Sequence, residues 1–299
     1  MTRKWMLLVA ALLTTGTIAA QAAEINKQVP VGPNDRVKVS NISGSVTITT
    51  WDRREVDVQG ELDEDVERVD IRQETGSVEI RVVIKGDKGR NEDWGDADAD
   101  LQIRVPADVQ LEVSTVSAPI SVSGVRGRMR MKSVSGDIQS DVPGTDVDAQ
   151  TVSGNVQLTG SNAKSRVRAS SVSGDVDLVR VVGDIESRST SGNVGIQMLG
   201  SDDVHAQTVS GDIEVRGHMA NEGDLDLQSV SGRIKVAARA PAGFRYDVST
   251  FSGDVRNCFG VKTDNEREWG GAHLSGTQGE GKASVRVKSH SGDVELCDR

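Results

Sequence analysis

Residues Val167–Leu178, with the sequence VRASSVSGDVDL, contain a Ser-Val-Ser-Gly-Asp phrase that recurs along the chain. Degenerate copies centre on Gly76 and Ala118, and from Ala118 to Gly253 successive copies are 18–21 residues apart. A short period of this kind is typical of repeat proteins, in which one unit is too small to bury its own apolar face. The clear copies centre on Gly44, Gly136, Gly154, Gly174, Gly192, Gly211, Gly232, Gly253 and Gly292.

Aliphatic residues occupy fixed positions around each of these glycines. In the quoted copy, Val176 and Leu178 stand two and four residues after Gly174, and Val167 stands seven residues before it. The position two residues after the glycine is Val or Ile in every copy. Apolar residues at alternate positions indicate a strand with one buried face. Each repeat is therefore predicted to be a strand, a Ser-Gly corner, a second strand and a return loop.

Stacking of such units in register predicts an all-β fold, namely a parallel β-solenoid (β-helix) of stacked 18–21-residue coils. Like residues would then form aliphatic ladders at a spacing of about 4.8 Å. An aromatic content of only 3% agrees with a narrow interior filled by Val and Ile. A β-sandwich is the alternative, but it requires hairpins whose strands have differing environments.

The corner residues have local explanations. We expect the repeated glycine to adopt a positive φ, which it does without steric cost. The Ser or Thr just before it is expected to hydrogen-bond the backbone at the corner.

The chain divides into three segments. Residues 1–22 have the pattern of a signal peptide, because Arg3 and Lys4 precede the apolar run 5–13 and Ala20-Gln21-Ala22 matches a cleavage site. Residues 23–110 are predicted to form an N-terminal β cap with degenerate repeats. Residues 111–299 are predicted to form the regular solenoid, with a Gly-rich insertion at 259–282 that we expect to be a surface loop. A periplasmic or secreted protein without membrane insertion after signal cleavage is predicted.

The charge of the chain excludes one class of partner. Lys and Arg number 35 against 45 Asp and Glu, which gives a formal net charge of -10. Removal of residues 1–22 takes away two basic residues, so the mature charge becomes 33 - 45 = -12. Nucleic-acid binding is not expected, because phosphate contacts need a basic face.

The two cysteines occupy the same position in two repeats. Cys258 follows Gly253 by five residues, and Cys297 follows Gly292 by five. If these repeats stack as neighbours, the two Cα atoms lie about 4.8 Å apart, which a disulfide accepts. We predict a Cys258–Cys297 bridge, which would contribute about 4 kcal/mol in the chain-entropy model.

Few residues suggest a functional site. The acidic residues that follow the corner glycines would form an exterior row, a weak candidate for binding or acid–base chemistry, although Asp and Asn also suit turns. Trp269 in the insertion could stack on a sugar ring. The four histidines form no metal-ligand spacing, so we expect no catalytic residues, metal or cofactor. The candidate binding residues are Asp137, Asp175, Asp212, Asp254 and Trp269.

The Ser-Gly-Asp/Asn-Val/Ile phrase, the signal peptide and the Val105-Pro106 entry into the repeat resemble a bacterial domain of unknown function known as a "putative adhesin". The resemblance covers roughly residues 35–299. It implies an exported, β-helical, non-catalytic protein. It implies no functional residue set, because the matched positions are corner and ladder residues.

Two hypotheses about function follow. The first is a non-enzymatic envelope protein that binds polysaccharide, peptidoglycan or another protein, or acts as a rigid spacer. The second is a β-helical polysaccharide lyase or hydrolase that uses the exterior acidic row. The ligand, the handedness of the solenoid and the oligomeric state do not follow from the sequence.

Overall fold

The computed structural model describes residues 23–85, 97–260 and 271–297 of the chain. Every regular element in this part is a β-strand, in agreement with the all-β prediction. The predicted signal peptide lies outside the described residues.

The strands, in chain order, are β1 (Ala23–Pro30), β2 (Arg36–Asn41), β3 (Ser43–Trp51), β4 (Glu55–Leu62), β5 (Val66–Glu74), β6 (Ser77–Ile84), β7 (Asp98–Pro106), β8 (Gln110–Thr115), β9 (Ile120–Val122), β10 (Met129–Lys132), β11 (Ile138–Val142), β12 (Val147–Gln150), β13 (Val156–Gly160), β14 (Lys164–Ser170), β15 (Val176–Arg188), β16 (Val194–Ser210), β17 (Ile213–Ser231), β18 (Ile234–Arg239), β19 (Gly243–Ser252), β20 (Val255–Asn257), β21 (Ala272–Gly279), β22 (Ala283–Ser291) and β23 (Val294–Cys297).

Two columns of parallel strands form the body of the molecule. In the first column β2, β8, β10, β12 and β14 pair in succession, and the later parts of β15, β16 and β17 continue it. In the second column β3, β9, β11 and β13 are followed by the first parts of β15, β16 and β17, then by β18. This is the solenoid-like arrangement that the repeat predicts.

The register stacks equivalent residues of successive repeats. Val156 pairs with Val176, which pairs in turn with Val194, and each of these stands two residues after a corner glycine. Their side chains are at most 1% exposed. Burial of a Val or Ile side chain stabilises the fold by about 1.5–3 kcal/mol. The aliphatic ladders are therefore the core.

Antiparallel strands occur at the two ends of the stack. At the N-terminal end β2 lies between β8 and β6, and β3 lies between β9 and β7. Beyond them β5 pairs antiparallel with β6, while β4 and then β1 continue antiparallel from β7. Hairpins of the kind that a sandwich needs are thus confined to the ends of the described stack.

The order of strands at the C-terminal end differs from their order in the chain. Strand β22 lies between β17 and β19, and β23 lies between β18 and β20. Residues 283–297 follow residues 243–257 in the chain. In the stack, however, their coil lies between the coil that contains β18 and the coil 243–257.

The insertion 259–282 contains regular structure, so the expectation of a surface loop is wrong for part of it. Residues Ala272–Gly279 form β21, which pairs antiparallel with β19. Without β21, the outer edge of β19 would be unpaired at the end of the stack. The backbone hydrogen bonds of β21 cover that edge.

Most corner glycines are required because the backbones of adjacent coils approach each other closely. Fewer of them are required by a positive φ. Among the copies from Gly136 onward, only Gly232, Gly253 and Gly292 have a positive φ. At Gly174 a Cβ atom would lie 1.9 Å from the carbonyl oxygen of Gly154 in the preceding coil. The expected reason for glycine is therefore wrong at Gly136, Gly154, Gly174, Gly192 and Gly211, because the stacking of backbones, and not the turn, excludes a side chain there.

Candidate functional site

Buried Ser and Thr side chains three residues before the glycine hold the corners of the central coils, whereas Ser229 and Ser289 at the same position have no hydrogen-bond partner among the described residues. Ser171 Oγ accepts a hydrogen bond from the Gly174 N–H (2.8 Å) and donates one to the Gly154 carbonyl (2.9 Å). Ser173, which directly precedes the glycine, is exposed, so the hydroxyl expected to serve the corner is the wrong one. The signal was present in the sequence, since this position holds Thr115, Ser133, Thr151, Ser171, Ser189, Thr208, Ser229, Thr250 and Ser289.

The exterior acidic row binds the backbone of neighbouring coils. The Oδ1 atom of Asp137 accepts the Asn155 N–H at 2.7 Å, and Asp175 accepts the Asn193 N–H at 2.7 Å. Asp212 does the same for the Arg233 N–H at 2.7 Å. These contacts account for acidic residues at the corner without a ligand.

Asp254 occupies the same position in the terminal coil. Its own N–H donates to Asp293 Oδ1 at 3.0 Å. The fifth candidate from the sequence, Trp269, lies outside the described residues.

One carboxyl beside this row has a perturbed pKa. Burial raises the pKa of Asp177, and the negative charge of Asp175 raises it further. Both effects disfavour the charged form of Asp177.

The outer face of the first column carries a row of alternating charge. Arg130 contacts Asp148 at 3.3 Å, and Arg168 contacts Glu186 at 3.0 Å. Exposed pairs of this kind contribute at most about 1 kcal/mol each. In the order of strand pairing the row runs Glu112, Arg130, Asp148, Arg168, Glu186, His205, Asp226, Arg286 and Asp247.

This row borders an open cleft of about 410 Å³. His205 stands there between Glu186 and Asp226, where the alternation would place a cation. The Oδ1 atom of Asp224 is buried and has no hydrogen-bond partner among the described residues. The charged residues that line the cleft are Arg166, Arg168, Asp184, Glu186, Asp203, His205, Asp224 and Asp226. The sequence pattern does not reveal this cleft, because its residues come from strands of four separate repeats.

A row of exposed apolar side chains lies two residues before the corner glycines. The backbone N–H of Val152 donates to the carbonyl of Val134, and that of Val172 donates to Val152, so these residues are stacked neighbours. We call the row the valine ridge. Its apolar members are Val116 (45% exposed), Val134 (46%), Val152 (44%), Val172 (45%), Val209 (41%), Val230 (48%) and Phe251 (58%).

Other residue types occupy two positions of the ridge. Thr190 stands two residues before Gly192, and His290 two before Gly292. The rings of Phe251 and His290 stack with centroids 5.1 Å apart.

The predicted disulfide is present between Cys258 and Cys297, whose Cα atoms are 4.9 Å apart. It joins the ends of β20 and β23, which are paired neighbours. A bridge of this kind agrees with a location outside the cytoplasm. Among the residues that the structure describes, no helix is long and apolar enough to span a membrane.

The chain matches a known family over most of its length. The family model described as Toastrack DUF4097 matches residues 34–297. No curated protein has detectable sequence similarity to the chain.

Solved structures with the same fold include two proteins of low identity. A "putative lipid binding protein" from Parabacteroides distasonis is 13% identical, with 91% of this chain and 96% of that chain covered and a TM-score of 0.54. A "putative adhesin" from Parabacteroides merdae is 12% identical, with 91% and 95% covered and a TM-score of 0.50.

Proposed function

Because this chain belongs to the Toastrack DUF4097 family, we propose that it is an exported, non-catalytic protein of the bacterial cell envelope, adhesin-like in binding an envelope polysaccharide or protein, or serving as a scaffold. The descriptions of solved relatives as an adhesin and as a lipid-binding protein support a binding role.

The finer architecture belongs to the same proposal. We take residues 23–110 as an N-terminal β cap, followed by coils of 18–21 residues over residues 111–299. In support, the antiparallel pairs β1–β4 and β5–β6 stand at one end of the stack. An end of this kind prevents strand pairing with other chains.

The charged cleft beside His205 is the observation that carries the binding proposal. Asp184, Asp203 and Asp224 line it together; Asp184 contacts Arg166 at 3.7 Å, and the Oδ1 atom of Asp224 has no hydrogen-bond partner among the described residues. Their carboxylates supply hydrogen-bond acceptors for hydroxyl or ammonium groups of a ligand. The face continues beyond the cleft along several coils, so an elongated partner could contact it repeatedly.

Co-sedimentation of the mature protein with envelope fractions tests the proposal. Peptidoglycan, outer-membrane vesicles and soluble polysaccharide are compared, each with and without calcium. We expect saturable binding to one fraction, which is weakened by Asp203→Asn/Asp224→Asn. The matched control, Asp141→Asn/Glu214→Gln, makes the same charge change outside the cleft and should bind normally.

Loss of binding in both variants would place the binding site elsewhere. If the protein binds none of the fractions, the binding role is contradicted and the spacer role remains. Binding to vesicles alone would favour a lipid ligand.

A β-helical polysaccharide lyase or hydrolase is the second candidate. The raised pKa of Asp177 beside Asp175 favours it, because a higher pKa moves a carboxyl toward the range in which a general acid works. Against it, the Oδ1 atoms of Asp175 and Asp212 already bind backbone N–H groups. Release of reducing or unsaturated sugar, lost in Asp175→Asn and Asp212→Asn, would establish this candidate.

A further inference from the structure

We propose that the valine ridge is the contact between two copies of this chain, which lie side by side with their stacks parallel and a two-fold axis along them. This self-association goes beyond the proposed binding function and does not depend on it.

The exposed area of the ridge is enough for a dimer. Its six valines are 41–48% exposed and Phe251 is 58% exposed. Together they present roughly 550 Å² per copy, or about 1,100 Å² in a pair, and specific interfaces begin near about 1,000 Å². Apolar patches of several hundred Å² are uncommon on monomers and mark interaction sites. Thr190 and His290 interrupt this one, and the His290 ring stacks on Phe251.

The regular spacing of the ridge matches a second ridge better than any other surface. Its side chains repeat at the distance between paired strands, about 4.8 Å. A second copy has the same repeat, so the apolar side chains of the two ridges can pack against their counterparts at each matching coil. A globular partner without this repeat would fit only one or two valines.

The charges on the two sides of the ridge select the parallel orientation. Two residues before the ridge positions stand the cations Lys132, Arg188 and Lys288 among Ser and Gln residues, and Arg188 already contacts Glu186 at 2.7 Å. Three residues after the ridge positions stand the acidic residues Asp137, Asp175, Asp212, Asp254 and Asp293, with Asn155, Asn193 and Arg233 among them. A two-fold axis along the stack places the basic side of one copy against the acidic side of the other. An antiparallel arrangement would place acidic side against acidic side, which costs free energy.

The parallel arrangement also brings specific pairs together. In register, Lys132 of one copy faces Asp137 of the second copy, because both belong to the Gly136 corner. Lys288 and Asp293 of the Gly292 corner meet in the same way.

Sedimentation equilibrium of the mature, disulfide-bonded protein in about 0.15 M salt, where long-range repulsion is screened, tests the proposal. We expect a dimer that dissociates on dilution. The variant Val134→Lys/Val152→Lys should weaken the dimer more than about tenfold, because it places like charges opposite each other at two adjacent positions of the interface. The control Gln139→Lys/Gln157→Lys adds the same charges to exposed positions of the same two coils and should dimerise normally.

A protein that stays monomeric at high micromolar concentration would overturn the proposal, as would equal weakening by both variants. Circular dichroism and thermal unfolding of the variants show whether they remain folded. If the lysine variant fails to fold, the single variant Lys132→Glu provides the same test against the control Lys235→Glu.

Cysteine cross-linking tests the orientation. In the parallel dimer each ridge residue meets its own counterpart, so Val134→Cys and Val209→Cys should each give a covalent dimer under mild oxidation. In an antiparallel dimer these two positions could not both meet their own counterparts. The control Gln139→Cys should remain monomeric on a non-reducing gel. Failure of both ridge variants to cross-link while Gln139→Cys does so would overturn the proposal.

Discussion

The corners at Gly136, Gly154, Gly174 and Gly192 each depend on two small residues three positions apart. The glycine lets the backbones of adjacent coils touch, and the buried Ser or Thr joins them by hydrogen bonds. Because the two residues serve different physical needs, their replacements should have separable effects.

Replacing Gly174 by Ala should strongly destabilise the fold. Its Cβ would lie 1.9 Å from the Gly154 carbonyl oxygen, so the two coils would have to move apart. We expect a loss of about 3 kcal/mol or more in the free energy of unfolding. Urea denaturation measures this loss against Gly200→Ala, where nothing lies within 4 Å of the added Cβ and only the positive φ is strained. Equal losses in the two variants would contradict the close-approach explanation.

Replacing Ser171 by Ala should leave one buried donor and one buried acceptor without partners. Such a change costs about 2–3 kcal/mol. The variant Ser171→Thr should retain most of the stability, because Thr151 and Thr208 occupy the same position in other coils. Thermal unfolding compares both variants with Ser173→Ala, whose exposed side chain should make little difference. A similar effect of Ser173→Ala would argue against the buried hydroxyl as the joint.

Among the elements, the edge strands at the N-terminal end are joined by a buried carboxylate. The side chain of Asp57 on β4 is fully buried and contacts the Arg104 guanidinium on β7 at 2.6 Å. It also accepts hydrogen bonds from Gln28 Nε2 on β1 and from Gln59 Nε2. One side chain thereby joins three antiparallel strands.

Replacing Asp57 by Ala should loosen this end of the molecule first. The change removes the buried acceptor that Arg104, Gln28 and Gln59 share. Because Arg104 is 46% exposed and also lies over the Trp51 ring, we expect a local loss of about 1–3 kcal/mol. Hydrogen exchange should show faster exchange in residues 23–30 and 55–62 than in the central coils. The control Asp108→Ala removes an exposed partner of Arg54 and should change exchange little. Uniform acceleration along the whole chain would contradict a local role for Asp57.

The sequence predicted the strands of the central coils because its aliphatic period is the same as the structural one. It predicted that Val156 and Val176 stack, and they pair in the structure. It could not reveal which valines are exposed, because Val172 at the corner has the same residue type as Val176 in the core. The sequence pattern also did not reveal the cleft, because His205 and Asp224 line it together only through the pairing of separate coils.

On the scale of the whole molecule, the order of coils at the C-terminal end is the feature with no signal in the sequence. The copies at Gly253 and Gly292 have similar phrases, so either could follow the coil of Gly232. The structure places the Gly292 coil there, and β19 then pairs with β22. The disulfide between Cys258 and Cys297 is compatible with either order, because it requires only that the two coils be adjacent.

Deleting residues 283–299 should therefore disturb two coils. Strands β19 and β20 would lose their parallel partners β22 and β23, and the edges of β17 and β18 would be exposed. Hydrogen exchange should show loss of protection in residues 243–257 as well as in the neighbouring part of β17. The control Cys258→Ser/Cys297→Ser keeps the coil and removes only the bridge. Retained protection of 243–257 after the deletion would show that this coil docks without its partner.

The position of the coil 283–297 within the stack also determines when folding can be completed. A chain emerges N-terminus first, from a ribosome or from a translocation channel, so residues 243–257 are available before residues 283–297, on which they rest. The earlier coils can stack in chain order, but this end stays open until residues 283–297 have emerged. A chain cut before residue 283 would therefore keep an unpaired edge that a protease can recognise.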